Sequence, residues 1–69
     1  MTVEELMELL KNRRKQAHRA GNEADDKAES CEDSGDNEGA NYWWGVSYDE
    51  MQKEKKLNIT IDTINEMVS

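Results

Sequence analysis

The chain has 69 residues, of which 16 are acidic and 9 are basic, and its formal net charge is −7. A chain of this length holds one domain, and with 35% hydrophobic residues its core can supply only about 3–5 kcal/mol of stability. These figures exclude a deep catalytic pocket and a membrane-spanning segment, so we expect a small acidic protein that is not an enzyme.

The first segment carries the pattern of an amphipathic helix, which we predict over residues 1–21. Apolar residues recur at helical spacing from Val3 to Leu10. Thr2 stands where an N-cap is expected, and the acidic residues precede the basic ones, as the helix dipole favours. Gly21 is the predicted stop of this helix.

Residues 22–39 form an acidic block, with eight carboxylates against Lys27 as the single base. Such a composition cannot build a core, and serine, glycine and asparagine are frequent toward its end. We therefore predict a mobile acidic connector, with residues 30–39 as its most mobile part.

The C-terminal half begins with an aromatic segment, residues 40–48, whose composition favours a strand. A capping pattern predicts a short helix at 48–56. Alternating branched residues predict a second strand at 57–61 and a short helix from Thr63, although 57–68 also fits one helical face. The predicted fold class is therefore α+β in a single domain.

Metal and nucleophile chemistry lack the residues that they need. His18 and Cys31 are the only histidine and cysteine, which is too few for a zinc site. Loops centred on Gly35 or Gly39 do not end on glutamate, as a calcium-binding EF-hand loop requires. The sequence thus predicts no catalytic residue, no metal site and no cofactor.

The acidic block and the tryptophan pair together suggest a binding surface for a basic protein. Carboxylates spaced along a chain can take the positions of phosphates and steer cationic partners. On a strand, Trp43 and Trp44 would face opposite sides, and a chain this small would leave one of them exposed as an anchor. The predicted partner-binding residues are Glu23, Asp25, Asp26, Glu29, Glu32, Asp33, Asp36, Glu38, Trp43 and Trp44.

Two alternative functions stay open at this point. The first is direct nucleic-acid binding, since five cations fall within nine residues: Lys11, Arg13, Arg14, Lys15 and Arg19. The second is a structural role, in which two copies pair through the stripe from Val3 to Leu10. A gel shift and sedimentation at several concentrations would separate these alternatives from the first hypothesis.

In size and charge the chain resembles small phage-encoded host-takeover proteins, among which acidic DNA mimics that block nucleic-acid-binding proteins are common. The resemblance covers composition and no residue pattern, so it implies a function and no site residues. It implies a protein that inhibits a basic host partner, with no membrane contact. The single free thiol, Cys31, suits a reducing compartment, so the expected location is the cytoplasm.

Overall fold

A computed structural model describes residues 1–69 as two antiparallel helices joined by a tight turn. Helix α1 spans Val3–Asp33 and helix α2 spans Asn37–Val68. The resulting rod measures 51 × 15 × 14 Å along its principal axes. Its length follows from the helical rise of about 1.5 Å per residue.

The two helices pack through a continuous row in which the spacing alternates between three and four residues. This is the heptad pattern, which keeps one face of each helix against its partner along the whole length of the pair. All members of the row are buried or half-buried, and all seven buried residues of the protein belong to it. The row consists of Met7, Leu10, Arg14, Ala17, Gly21, Ala24, Ala28 and Cys31 in α1, and of Ala40, Trp43, Ser47, Glu50, Glu54, Leu57, Ile61 and Ile64 in α2.

Polar pairs across the seam fix the register of the two helices. Arg14 donates a hydrogen bond of 2.8 Å to Asn58, and His18 lies 3.2 Å from Glu54. Nearer the turn, Ser47 donates to Asp25. The residue numbers in each pair add up to 72, so one register holds along the rod. This register places Leu10 at the level of Ile61, near the free ends of both helices.

Apart from Trp43 and Glu50, small side chains form the half of the seam that is nearest the turn. Ala24 and Ala28 are 1% and 0% exposed, and a Cβ built on Gly21 would lie 3.6 Å from the Cβ of Glu50. Small residues let helix axes approach to about 8 Å, the lower limit for packed helices. The helices are therefore close together here, but little apolar surface is buried.

The turn at residues 34–36 closes α1 with a Schellman motif and caps α2. Asp36 N donates to the Cys31 carbonyl at 2.8 Å and Gly35 N donates to the Glu32 carbonyl at 3.1 Å, which is the pairing that defines the motif. Gly35 takes a φ of 82°, a conformation that glycine adopts without a steric penalty. The Asp36 side chain then accepts from Gly39 N at 3.0 Å as the N-cap of α2.

The predicted α+β fold is wrong, because the protein contains two long helices and no strand. Segments 40–48 and 57–61, predicted as strands, both lie within α2. Branched and aromatic residues have only a weak preference for strands, and packing overrides it. Here α2 buries Ala40 and Ser47 against α1; these residues are seven apart, a spacing that a helix keeps on one face and a strand would place on opposite faces.

The predicted mobile acidic connector is also wrong. Residues 22–33 continue α1, and only 34–36 leave the helical conformation. Ala24 and Ala28 supply the buried positions that carry the helix past Gly21, which is not a stop.

Of the predicted helix starts, Thr2 is confirmed, since its hydroxyl accepts from Glu5 N at 3.1 Å. The starts predicted near Ser47 and at Thr63 are wrong, because both residues lie inside α2. Ser47 is buried, and the Thr63 hydroxyl donates back to the Ile59 carbonyl at 2.8 Å.

Candidate partner-binding surface

Folding into a hairpin separates the charges into three bands along the rod. Residues 22–50, the acidic end, carry ten carboxylates and Lys27 alone. Residues 11–19 and 53–56, the basic band, carry eight of the nine cations and Glu54 alone. Residues 1–10 and 57–69, the open end, carry five carboxylates and no basic side chain. The net charge of −7 therefore hides two strongly charged regions of opposite sign.

The carboxylates of the acidic end are arranged along a rigid helix. Six of the eight predicted binding carboxylates lie between Glu23 and Asp33 on α1. Five of these six are exposed, and Asp25 is half-buried. With a rise of about 1.5 Å per residue, their mean axial spacing is about 3 Å, against about 3.4 Å per phosphate in one strand of duplex DNA.

Three of the eight predicted carboxylates have structural partners within the chain. Asp25 accepts from the buried Ser47, Asp36 caps α2, and Glu32 accepts a bond of 2.7 Å from Trp44 Nε1. The other five make no side-chain hydrogen bond or ion pair and are exposed: Glu23, Asp26, Glu29, Asp33 and Glu38.

The tryptophan pair has two different environments, although the residues do not face opposite sides as on a strand. Trp43 is half-buried in the seam, with Lys27 Nζ 4.3 Å from its ring centroid and the ring centroid of Tyr42 5.0 Å away in an edge-to-face arrangement. Trp44 is 38% exposed, and Tyr48 follows it by one helical turn with 62% exposed. Trp44 is thus the better placed of the two as an anchor for a partner.

The basic band combines the five predicted cations of α1 with three from α2 that sequence reasoning missed. The antiparallel register brings Lys53, Lys55 and Lys56 beside the α1 cluster. On one side, Arg13, Lys53 and Lys56 line an open groove of about 610 Å³. The signal that could have found them is the heptad row combined with a turn near Gly35, because a hairpin that turns there pairs residues whose numbers add up to about 72.

The other side of the basic band carries Lys11, Arg14, Lys15 and His18 around a second open groove. This groove shares His18 and Glu54 with a third one that runs toward the acidic end. Both grooves therefore lie on one side of the rod, which we call the His18 face.

The stripe from Val3 to Leu10, the predicted pairing surface between two copies, lies against α2 in part. Leu6, Met7 and Leu10 are half-buried, whereas Val3 is 48% exposed. Most of this apolar surface is therefore engaged within the hairpin.

Neither α1 nor α2 contains a stretch both long and apolar enough to cross a bilayer. Three or more metal-ligating side chains do not come together anywhere in the fold. Cys31 is half-buried next to the turn, with its thiol 3.0 Å from the place that a Cβ on Gly39 would occupy. Comparison of the chain with protein-family models, with curated proteins and with solved structures gave no match.

Proposed function

We propose that the acidic end binds a basic protein that normally binds nucleic acid, and inhibits it by occupying the nucleic-acid site. The observation that carries this proposal is the axial spacing of about 3 Å between the α1 carboxylates, which approaches the phosphate spacing of one DNA strand. A surface with that charge density attracts the cationic clefts that hold nucleic acids.

The rigidity of α1 supports the proposal further. Charges held on a helix need no ordering when the partner binds, so less entropy is lost than with a flexible acidic tail. Trp44 and Tyr48 add exposed aromatic surface beside the carboxylates. Aromatic faces attract arginine and lysine side chains, which are frequent in nucleic-acid sites. The proposed activity involves no catalytic step and no cofactor, and we place it in the cytoplasm of a host cell.

The test is a pair of amide variants with equal change in charge. The acidic-end variant carries Glu23→Gln, Asp26→Asn, Asp33→Asn and Glu38→Gln, all exposed residues without side-chain partners. The open-end control carries Glu4→Gln, Glu8→Gln, Asp62→Asn and Glu66→Gln, which are exposed too. Each variant is immobilised and exposed to a bacterial lysate at about 50 mM salt, and bound proteins are eluted with duplex DNA and identified.

We expect the wild type and the open-end control to retain basic nucleic-acid-binding proteins that duplex DNA displaces. The acidic-end variant should retain far less of them. A purified captured protein should then lose DNA from its complex when the wild type is added. Equal displacement of DNA by the acidic-end variant would refute the mimicry, and so would captured proteins that DNA does not elute.

The second candidate function is direct nucleic-acid binding by the basic band. The convergence of Lys53 and Lys56 with Arg13 around one groove favours it, because cations from two helices can contact successive phosphates. In a gel shift with nonspecific DNA, Arg13→Gln with Lys56→Gln would then weaken binding and reduce its salt dependence. The acidic-end variant would strengthen binding in the same assay, since it removes repulsion.

A further inference from the structure

The His18 face has a charge order that changes sign at its middle. Along α1, one row of this face consists of Lys11, His18, Asp25 and Glu32, each seven residues from the next. A spacing of seven keeps side chains on the same side of a packed helix. In this row Lys11 carries a positive charge toward the open end, and Asp25 and Glu32 carry negative charges toward the turn.

Residues beside this row repeat the same order. Lys15 lies in the positive half and Glu29 in the negative half, and both are exposed. On α2, Lys55 lies in the positive half, and the apolar stripe of Met51, Tyr48 and Trp44 runs from the middle into the negative half. Met51 lines the groove together with Gly21 and Asp25, which places Met51 at the level where the sign changes.

We propose that two copies of this chain pair antiparallel through their His18 faces, about a two-fold axis near Gly21 and Met51. Rotation about this axis places each residue of one copy opposite the residue of the other copy that lies at the same distance from the axis in the opposite direction along the rod. Lys11 and Glu32 lie about 16 Å from that level in opposite directions, so Lys11 of one copy faces Glu32 of the other. The same rotation sets Lys15 against Glu29, and each pair occurs twice.

The apolar stripe provides the centre of this interface. Met51 is 58% exposed, Tyr48 62% and Trp44 38%, and none of the three belongs to the seam within the hairpin. Interfaces combine an apolar core with a polar rim and are enriched in methionine and aromatic residues. Around the two-fold axis, the two Met51 side chains meet, and each Tyr48 approaches the Lys55 of the other copy.

Charge complementarity selects a second copy as the occupant of this face. A surface that carries both signs at positions related by a two-fold axis is complementary to itself, as isologous dimers require. A uniformly basic partner would meet repulsion from Lys11, Lys15 and Lys55 along half of the face. The inference goes beyond the proposed function: the dimer covers Glu29, Trp44 and Tyr48, so a basic partner would compete with it for these three, but four free carboxylates of the acidic end lie off this face: Glu23, Asp26, Asp33 and Glu38.

The test uses two charge-reversed variants. The first carries Glu29→Lys and Glu32→Lys, and the second carries Lys11→Glu and Lys15→Glu. Two control variants reverse the same number of charges away from the face, Asp26→Lys with Asp33→Lys and Arg13→Glu with Lys56→Glu. Sedimentation equilibrium at about 50 mM and about 200 mM salt gives the monomer–dimer constant, and circular dichroism shows whether each variant keeps its helix content.

The parent chain and both controls should form dimers that weaken as salt rises. Each face variant alone should dimerise at least about tenfold more weakly, because like charges then oppose each other across the two-fold axis. An equimolar mixture of the two face variants should recover the dimer, although both carry a net negative charge. A parent chain that is monomeric at millimolar concentration would overturn the proposal. So would controls that weaken as much as the face variants, or a mixture that stays monomeric.

Discussion

Replacing Ile61 by alanine is the sharpest test of the hairpin, because Ile59 provides a control of the same residue type in the same helix. Ile61 is 3% exposed and Ile59 is 59% exposed. In the alternating pattern of a strand the two would share one face, whereas in α2 they lie on different faces. The two folds therefore predict different relative effects for the two substitutions.

The expected magnitudes follow from burial. Removing a buried isoleucine side chain costs about 2–5 kcal/mol, and we expect about 2–3 kcal/mol for Ile61→Ala because the seam has only one layer and can partly collapse. Ile59→Ala removes little buried surface and gains a few tenths of a kcal/mol in helix propensity, so its effect should stay within about 0.5 kcal/mol. The whole domain has about 3–5 kcal/mol available.

The assay is urea unfolding followed by far-ultraviolet circular dichroism, at low protein concentration and raised salt so that dimerisation does not contribute. With a slope of about 1 kcal/mol per molar urea, Ile61→Ala should lower the midpoint by about 2 M or leave the chain unfolded without urea. Ile59→Ala should leave the midpoint nearly unchanged. Equal shifts for the two variants, or a larger one for Ile59→Ala, would refute the packing described above.

Two further substitutions, each with a companion variant, test the turn and the polar seam. Gly39→Ala should destabilise the protein by about 1–2 kcal/mol, because the new Cβ would lie 2.9 Å from Asp36 Cγ. A Cβ at Gly45 meets nothing within 4 Å, so Gly45→Ala should instead stabilise the protein by about 0.5–1 kcal/mol through helix propensity and raise its melting temperature. Asp25→Ala should cost about 1–3 kcal/mol in chemical denaturation by leaving the Ser47 hydroxyl buried without a partner, and the double variant with Ser47→Ala should recover part of that loss. An Asp25→Ala variant as stable as the wild type would show that this pair does not hold the register.

The N-terminal part of α1 was predictable because its apolar side chains are large. Leu6, Met7 and Leu10 stand out against charged neighbours, and Thr2 marks the start. Beyond Leu10 the same spacing continues with Arg14, Ala17 and Gly21, which hydrophobicity patterns do not register. The helix persists because small residues bury backbone against backbone, a contribution that side-chain hydrophobicity does not measure.

In α2 the difficulty was that polar residues occupy seam positions. Ser47, Glu50 and Glu54 interrupt the apolar pattern between Trp43 and Leu57, so the local composition favoured strands on either side. The pairing with α1 explains Ser47 and Glu54, since they contact Asp25 and His18. Such partners lie far apart in the sequence and are visible only once the register is known.

The candidate site was predictable in composition but not in geometry. The excess of carboxylates in 22–39 could be counted from the sequence, and it motivated the binding hypothesis. Their position on a rigid helix could not be inferred, because the same composition is typical of disordered segments. The contribution of Lys53, Lys55 and Lys56 to the basic band was missed because it depends on the antiparallel fold.

The placement of the aliphatic seam residues has a consequence for how the chain folds. The turn at 34–36 brings neighbouring segments together at low entropic cost, but Trp43 is the only large apolar seam residue near it and is half-buried, so we expect the alanine layers there to bury too little surface to hold a half-closed hairpin. Most of the stability comes when the large aliphatic residues far from the turn, Leu10, Leu57 and Ile61, meet, which closes a long loop, although each doubling of loop length adds only about 0.6 kcal/mol. We therefore expect one cooperative folding step with a late transition state, and a chain cut just before Ile61 should unfold throughout even though its turn and both helix caps remain.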